Sequence, residues 1–139
     1  MPTDKELTGR IIRAAINVHK ELGPGFIESV YETALPVEFD LAGIQYERQK
    51  IVDVFYRKKK VGEHRLDFLV EQSVLLELKA VLNLEKIFFA ITRSYLKATG
   101  TRIGLLLNFA TMPLAIKRVS PEDLNYFLSN SPVPEFLLE

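Results

Sequence analysis

The 139-residue sequence has no cysteine and only two histidines. Without thiols there is no disulfide, no thiolate zinc site and no cysteine nucleophile. Two imidazoles argue against a histidine-rich metal site, so a bound metal would be a hard cation held by carboxylates. An excess of one charge is missing too, since 18 Lys and Arg balance 18 Asp and Glu. Proteins that coat nucleic acid are ordinarily basic, so the balance argues against strong non-specific binding. It leaves room for an enzyme that touches a few phosphates. No apolar run approaches the length that spans a bilayer, and Met1–Glu6 lacks the apolar core of a secretory signal. The chain therefore reads as cytoplasmic, with no membrane partner.

What is present in quantity is apolar surface to bury: 47% of residues are hydrophobic, beside 26% charged. That suits one soluble domain, placed at residues 1–131, with Pro132 and Pro134 marking a loose tail over 132–139. Thr3-Asp4-Lys5-Glu6 has the form of a capping box, and Leu7, Ile11, Ala15, Val18 and Leu22 follow at helical spacing. Gly23-Pro24-Gly25 stops that helix. A second is predicted from Ile27 to Ala42, with Pro36 kinking it by removing a backbone hydrogen bond. The period then changes. Ile44–Tyr56, Val61–Val70 and Val74–Ala80 read as strands joined by turns at Arg57–Lys60 and Glu71–Ser73. Leu84–Ala98 is helical again, Ile103–Phe109 is a strand buried on both faces, and Ala115–Val119 is a short edge strand. Ser120-Pro121 opens a last short helix. The order implies an α/β or α+β domain, a central mixed sheet with helices on its faces.

Charged residues interrupt two of these strands. In Val74–Leu82, Glu77 and Lys79 share a face with Leu75 and Val81, while Leu76, Leu78 and Ala80 line the other. An exposed Glu–Lys pair would be an ordinary ion pair worth about 0.5 kcal/mol. Neither face is wetted by its neighbours, however, and a charge set there costs several kcal/mol unless compensated. Asp67 breaks Leu66–Val70 in the same way. Two carboxylates on adjacent strands, one turn apart, repel unless a cation lies between them. A divalent metal would supply it, with Lys79 orienting or deprotonating a water. Spacing alone leaves that reading level with a structural ion pair.

Gly25, Glu28 and Tyr31, with Val18–Leu22, Glu47-Arg48-Gln49, Arg65–Val70, Glu77–Ala80, Tyr95-Leu96-Lys97 and Gly104–Phe109, resemble the GxxExxY protein family. That family is regarded as a branch of the PD-(D/E)XK nuclease superfamily. The resemblance runs collinearly from about Leu7 to Val119. It implies a restriction-endonuclease-like core and a Mg2+ or Mn2+ site built from Asp67, Glu77, the Leu78 carbonyl and Glu28, with Lys79 as the catalytic lysine. It implies phosphodiester hydrolysis of DNA, or secondarily RNA. One departure stands out: relatives carry Gln-x-x-x-Tyr on the helix after the Glu-x-Lys strand, and here Tyr95 is kept but Ile91 replaces the glutamine. A second reading therefore stays open, a nuclease fold without turnover that binds protein, a second copy of itself or nucleic acid.

The remaining candidates have plainer accounts. Glu28 stands in the first turn of its helix, where a carboxylate favours the helix dipole by about 0.3–1 kcal/mol. Ile91 falls on an apolar stripe with Leu84, Ile87, Phe88, Tyr95 and Ala98, and Lys86, Arg93 and Lys97 form a solvated stripe opposite it. His19 near a helix C-terminus compensates the dipole, although the family pattern keeps it, Tyr31 and Tyr95 as accessory site candidates.

Overall fold

Thr3 opens the first helix as its sequence predicts. Its hydroxyl accepts the Glu6 N–H at 3.1 Å, and the Glu6 carboxylate accepts the Thr3 N–H at 3.2 Å. The computed structural model describes residues 3–123. Helix α1 spans Asp4–Leu22 and α2 spans Glu28–Ala42, continuing past the buried Pro36. Between them Gly23 and Gly25 adopt φ of 72° and 112°, which a side chain would resist, and so the chain reverses in five residues.

Five strands follow: β1 (Tyr46–Tyr56), β2 (Lys59–Val70), β3 (Val74–Lys79), β4 (Ile103–Asn108) and β5 (Ala115–Val119). They lie side by side in chain order, antiparallel except for β3 and β4, which run parallel and are joined across the sheet by α3 (Lys86–Thr99). Every residue of β4 is buried, as its unbroken apolar run requires. Pro121–Asp123 forms a short 3-10 turn; the rest of the predicted closing helix, and the tail over 132–139, lie outside the described residues. The turn between β1 and β2 is tighter than predicted. Arg57 and Lys58 take positive φ, as two-residue hairpin turns demand, and Lys59 and Lys60 belong to β2.

Apolar side chains fill both faces of the sheet. On one, Ile11 and Val18 of α1 and Leu35 and Phe39 of α2 pack on Phe68, Leu76, Leu78, Leu105 and Leu107. On the other, Leu96 of α3 packs with Leu66, Leu75, Leu106 and Val119. The face that α3 turns inward is only partly the predicted one: Leu84, Phe88 and Tyr95 of the apolar stripe pack on this cluster, but the helix is rotated from the predicted centre. Thr92, Arg93 and Leu96 are buried, with Arg93 only 4% exposed, whereas Ile87 and Ile91 are 55% and 36% exposed. Gly104 of β4 makes room for this: a Cβ there would lie 3.2 Å from Thr92 Cγ2 and 3.3 Å from Leu96 Cδ1. The bare backbone lets α3 settle on its Thr92–Leu96 edge. The predicted basic stripe is thereby broken, since Lys86 and Lys97 stay exposed and Arg93 does not.

The β1–β2 hairpin overhangs the sheet, because β2 pairs with β3 only over Phe68–Val70. Its pleat also reverses. Tyr46, Phe68 and Val70 face the α1–α2 core, yet Val52 and Leu66 face α3. In a regular strand, residues two apart share a face. The reversal falls at Gln49, whose φ is 49°, across from Asp67.

Candidate functional site

The β2–β3 ladder pairs Val70 with Val74, Leu69 with Leu75 and Phe68 with Leu76, and then stops. One step further, the register sets Asp67 opposite Glu77. Side chains take over there from the backbone: Glu77 Oε2 accepts the Asp67 N–H at 2.9 Å, and Asp67 Oδ2 accepts the Leu78 N–H at 2.8 Å. Two donors that the splayed ladder leaves open are thus satisfied by carboxylates. Leu78 turns its N–H toward β2, and in an extended strand its carbonyl turns the same way. Lys79 turns its carbonyl to the opposite edge, where it accepts the Phe109 N–H at 2.8 Å.

The electrostatic consequence is strong. Glu77 is only 5% exposed. Burial, reinforced by repulsion from Asp67, pushes its pKa up to about 8, against the pull of the Asp67 N–H and Lys79. Burial likewise raises Asp67 to about 6, with Glu32 and Glu28 adding to the rise and the Leu78 N–H and Lys79 opposing it. Glu28 is raised by burial and by Glu32, and Lys79 works against both. These carboxylates share one negative field that Lys79 offsets only in part.

Lys79 lies over the Phe88 ring of α3, its Nζ 4.8 Å from the centroid. Among the described residues it closes no salt bridge with Asp67, Glu77 or Glu28. The ordinary ion-pair reading therefore lacks its contact. Tyr95 is on the same side of the sheet; its phenol is held above the usual range by burial and by the Glu77 and Asp67 charges. Its ring packs against His64 of β2 at 4.3 Å between centroids. Ile91, by contrast, is partly in solvent.

Helix α2 brings Glu28 to this field, and Tyr31 sets where α2 begins. The buried Tyr31 hydroxyl donates to the Gly23 carbonyl at 2.6 Å and accepts the Phe26 N–H at 3.2 Å, while its ring stacks on Phe109 at 4.5 Å. Tyr31 thus pins the loop ahead of Glu28. His19 is a tie of another kind: its Nε2 lies 2.8 Å from the Thr111 carbonyl, joining α1 to the loop after β4.

Glu32 is the residue that sequence reasoning missed. It stands one turn beyond Glu28, and its charge acts on both Asp67 and Glu28. Gln49 Nε2 donates to its Oε1, and Arg48 lies 3.7 Å away. The i, i+4 repeat of Glu28 and Glu32 was the available signal.

Among the described residues no three histidine or carboxylate side chains already stand at metal-ligand spacing. The donor chemistry nevertheless suits a hard divalent cation. Asp67 Oδ1 and Glu77 Oε1 accept no hydrogen bond among the described residues, and both belong to carboxylates whose repulsion a cation would relieve.

A family model described as the PD-(D/E)XK nuclease superfamily matches residues 5–119. A solved structure described as "Crystal structure of SSO0001" aligns with a TM-score of 0.53 at 15% identity. The alignment covers 78% of this chain and 62% of that one, and at this identity the likeness is one of fold. No curated protein matches the chain.

Proposed function

Because the chain belongs to the PD-(D/E)XK nuclease superfamily, we propose that it hydrolyses phosphodiester bonds of nucleic acid, DNA ahead of RNA, at the Asp67–Glu77 pair. Membership of the GxxExxY branch, carried by Gly25, Glu28 and Tyr31, is part of the same proposal. The observation that carries it is the reciprocal bonding of a buried and a half-buried carboxylate into each other's strands, with both pKa values raised and no salt bridge to relieve them.

Asp67, Glu77, the Leu78 carbonyl and Glu28 would hold Mg2+ or Mn2+. Such an ion supplies the positive charge and Lewis acidity that phosphoryl transfer needs. The chain's own residues do the rest. Asp67 and Glu77 each keep one oxygen in place through the 2.8 and 2.9 Å bonds to backbone, leaving the other to turn toward an ion. Lys79, steadied by Phe88, places an ammonium where charge builds on phosphorus and can orient the attacking water. Tyr31 fixes the start of α2 and with it Glu28.

The test is cleavage of single- and double-stranded DNA and of RNA, with Mg2+ and with Mn2+, by wild type and Lys79→Ala. Metal-dependent cleavage that disappears in Lys79→Ala supports the enzyme. The second reading, a nuclease fold that only binds protein or nucleic acid, is favoured by Ile91. It wins if wild type and Ile91→Gln are both inert while wild type still binds a partner.

A further inference from the structure

We infer that Gln49 is a positioning residue of the carboxylate site, holding Glu32 of α2 from the β1 position that lies across from Asp67. The inference rests on the metal-dependent reading above and adds a residue to it.

Register places Gln49. Arg48 pairs with Phe68 and Lys50 with Leu66, so the position between them faces Asp67. Gln49, Asp67 and Glu77 therefore form one row across three strands. The side-chain amide of Gln49 donates to Glu32 Oε1, and Glu32 is a charge that Asp67 feels.

Backbone conformation supplies the second argument. Among the described non-glycine residues with positive φ, Arg57, Lys58, Glu71 and Gln72 occupy hairpin turns, and Gln49 alone lies inside a strand. Left-handed backbone in a long side chain is strained and persists where its surroundings over-determine it. Glycine would make the same pleat reversal without strain. A glutamine there indicates that the side chain is used.

The chemistry of an amide fits the use. A neutral donor fixes one Glu32 oxygen in direction and adds no positive charge to that of Arg48, 3.7 Å away. A lysine or arginine in its place would set a second cation on Glu32 and weaken further the negative field that a divalent ion needs. Ile91 leaves no amide on α3, and Gln49 is the amide that reaches the acidic row from β1.

Gln49→Gly separates the two roles, since it keeps the backbone reversal and removes only the side chain. Three measurements on the full chain are compared: melting temperature without metal, Mn2+ affinity by calorimetry, and the nuclear magnetic resonance of the Gln49 side-chain amide. The positioning role predicts an unchanged or higher melting temperature and Mn2+ affinity reduced about tenfold. It also predicts wild-type amide protons that exchange slowly and become fast in Glu32→Ala. Gln49→Glu, which sets like charge against Glu32, should weaken Mn2+ binding as well. Fast exchange in the wild type, or Gln49→Gly binding Mn2+ as wild type does, would overturn the positioning role alone. A wild type that shows the protected amide but no Mn2+ affinity would overturn the metal-dependent reading, and the positioning role with it.

Discussion

The carboxylate of Glu77 accepts the backbone N–H of Asp67 at 2.9 Å, so the residue that repels Glu77 is also the one that holds it. Asp67 in turn holds Leu78. Folding keeps two like charges together because each replaces a ladder hydrogen bond that the diverging strands no longer make. This gives the site a stability cost without metal and a binding capacity with it.

Asp67→Asn and Glu77→Gln should therefore raise the melting temperature of the metal-free protein at pH 8. Each amide keeps an acceptor for the backbone N–H and removes the buried charge. A gain of about 1–2 kcal/mol corresponds to roughly 4–8 °C. Asp67→Ala should do the reverse, losing about 1–3 kcal/mol because the Leu78 N–H is left without a partner. All three should lose Mn2+ binding in calorimetry. A drop in melting temperature for both amide variants would point to a structural ion pair instead.

The pH dependence has a definite sign. Both carboxylates titrate above their unfolded values of about 4, so their contribution to stability is complete below pH ~4. It is lost as pH rises through about 6 for Asp67 and about 8 for Glu77. His64 works oppositely, because burial lowers its pKa: its contribution is complete above its unfolded value of about 6.5 and is lost as pH falls from there through the lowered folded value. The difference between wild type and Glu77→Gln isolates the carboxylate part. Melting curves from pH 5 to 9 should show the variant gaining on wild type as pH rises, and saturating Mn2+ should abolish that gain. A difference that stays flat across this window would count against the raised Glu77 pKa.

Phe88→Ala should slow cleavage about tenfold while leaving Mn2+ affinity within about twofold, since the ring steadies Lys79 and not the carboxylates. Equal losses in affinity and rate would mean that Phe88 supports the whole site.

Tyr31→Phe removes a buried hydroxyl that serves both Gly23 and Phe26. It should cost about 1–3 kcal/mol in urea unfolding. It should also weaken Mn2+ binding, because the loop that starts α2 carries Glu28. Unchanged affinity in the folded variant would remove Glu28 from the metal site.

Ile91→Gln should raise the cleavage rate at a stability change within about 0.5 kcal/mol, because position 91 is 36% exposed. The sequence implied a packing cost there, and the structure removes it.

Local patterns made much of this protein readable. The capping box at Thr3–Glu6, the Gly23–Gly25 stop and the unbroken run of β4 depend on neighbours along the chain, and each lies where its spacing placed it. Asp67 and Glu77 were conspicuous for the same reason, as charges inside apolar strands. The inward face of α3 was readable only in part. Phe88 and Tyr95 of its apolar stripe do pack inward, but beside a glycine on β4, far along the chain, Thr92 and Leu96 lie deepest and Ile87 and Ile91 are left exposed. Nor was the row of Gln49, Asp67 and Glu77, because it depends on where β2 leaves β3 and where β1 reverses its pleat. Sequence by itself determined the elements and the carboxylates that burial would make costly, since propensity and periodicity act locally. Tertiary structure decided which of those charges meet, what holds them and where Lys79 points, since register and close approach join residues that the chain keeps apart.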